Sequence, residues 1–459
     1  MTDTGIGTGR PIRTGLRNVL SRSPRVAVAA AWRLHRDLLS NAGSLVVSTG
    51  VASLLGIVYW MFATRLFSQR AVGYASATVS AMTLLGTIGM LGLGTLLIGE
   101  LPRRRPRAGL VAAALLTCGL GSLLLGLGFA VVAPQVSVSF DAMIGTAGRG
   151  ALFAAGVAVT AVTLVFDQAT IGLMRGGLQM GRNIAFAVAK VLVLPVAAIV
   201  FHDGFGVGIT LSWVAGMVLS LALIAIRLRL DGEPVLARPD WGVLRGLGRT
   251  AMAHHWLNLA MTMPFYLLPV LVTVIVSPTA NAAFYIAVML TTFLFIVPAH
   301  LSTALFAVAA ADPGAVARKL RFALRVSFLI GIPGMAVLIL GAHLALGLFG
   351  KGYTVATVPM WLVTLGYPAA VPKSLYVAVC RAAGQIPRAA AVLTTCSSRE
   401  MAAAAAGGLA GGLYGLSLAL LVVRYAEALV TTPPVLRAAF GRVGRPRPGV
   451  SGTAGHRPR

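Results

Sequence analysis

Acidic residues are scarce in this 459-residue chain, with 12 Asp and Glu against 38 Lys and Arg. All charged residues together make up 11%, where an ordinary soluble domain carries roughly 25%. A chain that is 57% hydrophobic, with a mean hydropathy of +0.86, cannot cover itself with polar surface. That excludes a water-soluble globule and makes lipid the solvent. Three cysteines, Cys118, Cys380 and Cys396, exclude a disulfide framework and read as small buried hydrophobes. Enzyme signatures are missing: no phosphate-cradling loop, no HExxH and no GxSxG. Gly5-Ile-Gly-Thr-Gly9 has no strand before it and is no dinucleotide loop. His254 and His255 are adjacent, so on a helix they point about 100° apart and make no metal pair. Neither an enzyme, a cofactor nor a metal is expected. Without an ATP site, energy for work must come from an ion gradient, the membrane potential or the concentration of product.

What the chain has is long apolar runs. Residues 41–64, 73–99 and 110–132 are each long enough to cross a hydrocarbon core, which takes about 20 apolar residues. Nine more follow, at 150–173, 183–201, 206–226, 251–276, 282–308, 322–342, 354–380, 389–409 and 412–432. In lipid the backbone must satisfy its own hydrogen bonds, so the spans are helices, and the alternating pattern of a membrane barrel is absent. The expected fold is all-α and integral to the membrane, with about 12 spans. Arg399 and Glu400 interrupt the eleventh run, and Arg424 and Glu427 the twelfth. The first apolar run lies behind some forty residues of basic, Pro- and Gly-containing sequence, which does not read as a cleaved signal peptide.

The net charge of +26 could suggest nucleic acid, but its distribution points elsewhere. With the N-terminus placed in the cytoplasm, 30 Lys and Arg fall in inside segments and 4 (Arg65, Arg70, Arg149 and Lys351) in outside loops. That is a positive-inside bias. It predicts a multi-pass protein of the cytoplasmic membrane, both termini cytoplasmic, with the basic segments on anionic lipid. No nucleic-acid partner is expected. The outside loops are too short to hold a catalytic domain.

The chain also repeats itself. Arg175-Gly-Gly-Leu-Gln-Met-Gly-Arg182 aligns with Arg381-Ala-Ala-Gly-Gln-Ile-Pro-Arg388. Gly204-Phe-Gly-Val-Gly-Ile-Thr-Leu211 aligns with Gly411-Gly-Leu-Tyr-Gly-Leu-Ser-Leu418, and Ser68…Gly73-Tyr-Ala75 with Ser277…Ala283-Phe-Tyr285. The offset is about 206–210. Six spans per repeat give both halves one orientation, a parallel 6+6 arrangement with the substrate cavity between them. The expected layout is a basic tail (1–40), an N-terminal half (41–228), a cytoplasmic linker (229–249), a C-terminal half (250–432) and a basic tail (433–459).

Several segments resemble the polysaccharide (O-antigen, oligosaccharidyl-lipid) flippases of the multidrug/oligosaccharidyl-lipid/polysaccharide exporter superfamily. They are Thr64-Arg-Leu-Phe-Ser-Gln-Arg-Ala-Val-Gly-Tyr-Ala75, Gly92-Leu-Gly-Thr-Leu-Leu-Ile-Gly-Glu-Leu-Pro-Arg103, the stretch from Phe166 to Asn183, and Ser277-Pro…Ala283-Phe-Tyr285. The resemblance covers about residues 40–435. It implies a V-shaped bundle that flips a lipid-pyrophosphate-linked glycan by alternating access, beside the glycosyltransferases and polymerase of the same pathway.

Charges within spans are costly and face a cavity or a partner. Asp167, Lys190, Lys373, Arg399, Arg424 and Glu427 are therefore candidates for a cavity, as is Arg65 at the outer end of the first span. Lys190, Lys373, Arg399 and Arg424 would suit a diphosphate. The repeat sets Asp167 opposite Lys373, and Lys190 two or three positions from Arg399. The plain alternative is pairing: Asp167 with Lys190 or Lys373, and Arg424 with Glu427 one turn away. Arg175, Arg182, Arg381 and Arg388 sit in the internal turns and are candidates for the cytoplasmic entry, or simply for lipid headgroups. Glu100, Pro264 and Pro269 are candidates for gating, the prolines because they remove helix bonds and allow bending. Gly86, Gly89, Gly92 and Gly94 would let the second span pack closely. Two other functions stay in view. A drug or cation antiporter of the same superfamily would want buried carboxylates. A membrane glycan polymerase or ligase would want a sizeable external loop.

Overall fold

The computed structural model describes residues 54–102, 108–201, 204–232, 237–242, 249–311 and 316–441. Residues 1–53, 103–107, 202–203, 233–236, 243–248, 312–315 and 442–459 lie outside the described residues, among them the N-terminal tail, the start of the first span and about half of the 229–249 linker. The described residues are helical throughout, with no strand among them.

In chain order the N-terminal half holds α1 (Leu54–Leu66), α2 (Gln69–Gly89), α3 (Leu93–Glu100), α4 (Ala108–Val136), α5 (Val138–Ile144), α6 (Ala147–Gly172), α7 (Gly176–Val200) and α8 (Val207–Leu230). The C-terminal half holds α9 (Arg249–Ile275), α10 (Pro278–Ala311), α11 (Val316–Gly347), a 3₁₀ turn (Lys351–Ala356), α12 (Thr357–Leu365), α13 (Tyr367–Ala382) and α14 (Ile386–Phe440). Nine of these are long and apolar enough to span, and α12 with α13 forms a tenth span bent by 46°. α14 is two spans folded at Gly411 and Gly412, and α1 is the described part of the first. About twelve spans, as the hydropathy runs predict, are therefore accounted for.

Glycines explain the irregular points. α2 and α3 are one span broken where Gly92 takes φ 76°, a conformation that glycine adopts without strain. Gly86 and Gly89 bring α2 against Thr160 of α6 and Ser122 of α4. In α14 the backbone leaves helical geometry at Gly411 and Gly412 (φ 55°). The two arms then run back along each other so closely that a Cβ on Gly407 would lie 2.4 Å from the Gly415 carbonyl oxygen. This settles the course of the eleventh and twelfth spans. Gly407 and Gly415, on facing sides of the fold, let the arms close into a tight hairpin. The second arm continues through Pro433 and Pro434 to Phe440, eight residues past the boundary read from hydropathy.

The repeat is present in local geometry, with a change of register. Ser68 caps α2 by accepting from the Ala71 N–H (3.2 Å), and Ser277 caps α10 by accepting from the Ala280 N–H (3.0 Å). After the fourth span of each half the chain turns with the same bond, Arg175 N–H to Thr170 O and Gln385 N–H to Cys380 O, both 2.8 Å. Met174 (φ 59°) and Gly384 (φ 69°) hold matching left-handed positions there. Arg175 therefore corresponds to Gln385 and not to Arg381. The sequence alignment of Arg175–Arg182 with Arg381–Arg388 is one helical turn out, because side-chain identity was matched where the turn fixes the register.

The halves meet through α1 and α2. Trp60 packs on Tyr285 of α10 (ring centroids 4.8 Å apart), inside a core shared with Ala342, Leu346 and Phe349. α2 crosses α10 so tightly that a Cβ on Gly73 would fall 1.7 Å from the Pro278 carbonyl oxygen. Asn281 donates from Nδ2 to the Gly73 carbonyl (2.9 Å) and to Ser76 Oγ (3.0 Å). Gln69 donates to the carbonyls of Thr279 and Gly352. All of this lies at the end that the charge count places outside. Towards the other end, His255 of α9 hydrogen-bonds the Ile88 backbone of α2.

Gly73→Val is expected to push a side chain into the α10 backbone, costing about 1–3 kcal/mol as overpacking does. Thermal melting of the detergent-solubilised protein should show a clear drop in midpoint. Gly56→Ala, which meets open space, should leave the midpoint unchanged.

Candidate functional site

Four side chains that sequence scatters over three spans converge in the C-terminal half. α13 carries Lys373, the first arm of α14 carries Glu400, and the second arm carries Arg424 and Glu427. The Lys373 ammonium donates to Glu400 Oε1 (2.6 Å) and to Glu427 Oε2 (2.7 Å). Arg424 lies 3.8 Å from the other Glu400 oxygen. Both carboxylates are buried, at 5% and 3% exposure. A charge taken out of water costs several kcal/mol unless it is paired, and here two cations balance two anions.

The cluster forms the polar end of a cavity of about 220 Å³ between α9, α10, α12, α13 and α14. The remaining wall is mostly apolar, with Met261, Phe265, Leu268, Phe284 and Phe295 among its residues. Thr291 and Thr292 also line it. This cavity lies within the C-terminal half. Helix breaks around it are stitched. Pro264 deprives the Ala260 carbonyl of its usual partner, and the Ser397 hydroxyl donates to that carbonyl at 2.5 Å. α9 consequently runs unbroken through Pro264 and Pro269. The bend between α12 and α13 frees the Leu365 carbonyl, and Tyr425 donates to it at 3.0 Å.

The N-terminal half holds its charges differently. Arg182 of α7 grips Asp167 of α6 with two bonds, Nε to Oδ1 at 2.8 Å and NH2 to Oδ2 at 2.7 Å. Asp167 therefore pairs with neither Lys190 nor Lys373, and Arg182 is turned inward rather than exposed at an entry. Each half joins its fourth and fifth spans by an ion pair, with the signs exchanged: Asp167 to Arg182, and Lys373 to Glu400. Lys190 is buried at 4% exposure and sits over the rings of Trp213 (4.2 Å), Tyr59 and Phe186 (both 4.6 Å). It makes no ion pair among the described residues. Cation–π contact of this kind is worth about 2 kcal/mol when desolvated.

The other candidates fall into place around this. Arg399 is exposed, about 100° round α14 from its neighbour Glu400, and does not line the cavity. Glu400, which the sequence left out of the candidate set, does. Correct register would have pointed to it, because Glu400 stands 210 positions from Lys190, as Cys380 does from Thr170. Arg424 meets Glu400 and not Glu427, which belongs to Lys373. Arg381 donates to Asn258 of α9 (2.7 Å), while Arg388 is exposed and reaches Gln385. Arg175, at the start of α7, and Arg65, at the end of α1, are exposed. Glu100 ends α3, partly buried. No group of three or more metal-ligating side chains occurs among the described residues.

Compared with protein-family models and with curated proteins, the chain matches none. Among solved structures it is similar to the inward-facing conformation of a multidrug resistance MATE family transporter of the MOP superfamily. The TM-score is 0.64 at 16% identity, over 84% of this chain and 94% of that one. It is also similar to a MATE structure in complex with MaD5 (TM-score 0.60, 14% identity, 88% and 96%). An outward-facing conformation of a MATE family transporter gives 0.56 at 15% identity, over 88% and 95%. The fold is that of the MATE transporters, a multi-pass membrane fold of two helical halves. The fold agrees with the helical transporter bundle expected from the sequence.

Removing one member of a buried pair leaves an uncompensated charge and costs about 3–5 kcal/mol. Asp167→Asn is expected to destabilise the folded protein on that scale, and Asp167→Leu with Arg182→Met to recover most of it in a double-mutant cycle. Arg399→Ala should stay within about 0.5 kcal/mol of the parent, as surface changes do.

Proposed function

We propose that this chain is a secondary transporter that exports amphipathic organic molecules, cations among them, by alternating access. The observation that carries this reading is the charge balance of the cavity. The sequence offered a basic seam for an anionic substrate. In the structure Lys373 and Arg424 are matched by Glu400 and Glu427, Arg182 is matched by Asp167, and Arg399 faces away. A diphosphate entering here would have to take Lys373 from two carboxylates and leave them buried and unpaired, at several kcal/mol each. An apolar, phenylalanine-lined wall ending in a compact polar cluster suits a molecule with an apolar body and a small polar or cationic head. The solved structures of this fold support it too, since two of those named above are multidrug resistance transporters, one facing inward and one outward.

Flipping of a lipid-linked glycan is the second reading, and Lys190 is what favours it. Among the described residues it is the buried cation of the N-terminal half without a carboxylate, and an anionic headgroup would complement it.

Cells that lack their own drug pumps and express this protein are expected to accumulate several-fold less ethidium than cells with an empty vector. Glu427→Gln should reverse the difference while surface expression is kept. Unchanged ethidium accumulation, together with movement of a lipid-pyrophosphate glycan in proteoliposomes, would replace the first reading with the second.

A further inference from the structure

Glu400 and Glu427 come from the two arms of α14 and point at one spot in a mostly apolar cavity. Two buried carboxylates aimed at a common point constitute a cation site, because each needs positive charge close by. The spot is already taken. The Lys373 ammonium lies 2.6 Å from Glu400 Oε1 and 2.7 Å from Glu427 Oε2, which is contact distance for a charge-assisted bond. An ammonium has three donors, and this one bridges two separate helical segments from a third. Glu427 Oε1 is buried and without a hydrogen-bond partner, so the bridge to Lys373 is the hydrogen bond its carboxylate makes.

We propose that Lys373 is a tethered counter-cation. Its ammonium occupies the place between Glu400 and Glu427 that a free sodium or potassium ion would need, so no inorganic monovalent cation binds there during the cycle. The difference is physical. A free ion is present in proportion to its concentration, whereas a side chain on α13 is always at hand. Spans ten, eleven and twelve are consequently held together at any salt composition. The inference rests on the geometry of the cluster and is independent of which molecule the cavity carries.

The test uses the full chain in detergent, with NaCl or KCl exchanged against choline chloride at constant ionic strength. The parent protein should show the same melting midpoint in all three salts and bind no radioactive sodium. Lys373→Met vacates the place between the carboxylates. Arg424 still balances one of the two carboxylates, so this variant carries one surplus negative charge. It should gain a saturable rise in midpoint with sodium or potassium and bind close to one equivalent. Lys373→Met with Glu427→Gln leaves Glu400 balanced by Arg424 and should show neither, as should Lys373→Arg, which keeps a tethered charge. A saturable cation effect in the parent protein would overturn the proposal. So would a folded Lys373→Met variant that ignores all three salts. If Lys373→Met does not fold, the parent's response to sodium and potassium decides alone.

Discussion

The two halves of this protein touch backbone to backbone where α2 crosses α10, and everything proposed for its transport depends on that contact being made and broken. Gly73 permits the approach, since any side chain there would overlap Pro278. Asn281 and Gln69 then fasten it with four hydrogen bonds, each worth about 1 kcal/mol net. A junction of that kind closes firmly without being permanent. It is backed by an apolar core that the halves share, it contains no ion pair among the described residues, and its donors find water as soon as it opens. The aromatic contact of Trp60 with Tyr285 extends the junction, so α1 and α2 move against α10 as one surface or not at all.

Within each half the opposite holds. Buried charges tie the fourth and fifth spans together, through Asp167 with Arg182 in one half and Lys373 with Glu400 in the other. A partner lost from such a pair costs more than a hydrogen bond lost at the junction. Each half thus carries a buried ionic tie between its own spans, whereas the external contact between the halves carries hydrogen bonds and apolar packing. Stiff halves with a releasable contact are what a rocking transporter needs, and the difference follows from electrostatics in a low-dielectric medium. Lys190 stands apart from this scheme, with aromatic faces rather than a carboxylate around its charge.

Much of the architecture was legible in the sequence because membrane helices are written in composition. Run lengths gave the spans. The serines at 68 and 277 and the glycines near 206 and 412 marked the repeat, because caps and left-handed positions demand particular residues. The site was less legible. A repeat aligned on Arg175 and Arg381 is wrong by one turn, and on a helix one turn keeps nearly the same face, so the error leaves no trace in hydropathy. It was enough to highlight Arg399 where the neighbouring Glu400 faces the cavity. Pairing was also beyond reach. Arg182 lies 15 residues from Asp167, and Glu427 lies 54 from Lys373. Only the packing of spans decides which charges meet, and with it whether the cavity is basic or neutral.

The claim that the halves move as stiff bodies about the Gly73 junction is open to one direct measurement. Spin labels at Arg65 and Lys351 report the end carrying that junction, and labels at Gly177 and Ala383 report the other. Electron–electron distance distributions in lipid nanodiscs should show two populations at each end, with a transported cation shifting the two label pairs in opposite directions. A single distance at both ends, unchanged by any transported molecule, would contradict the account.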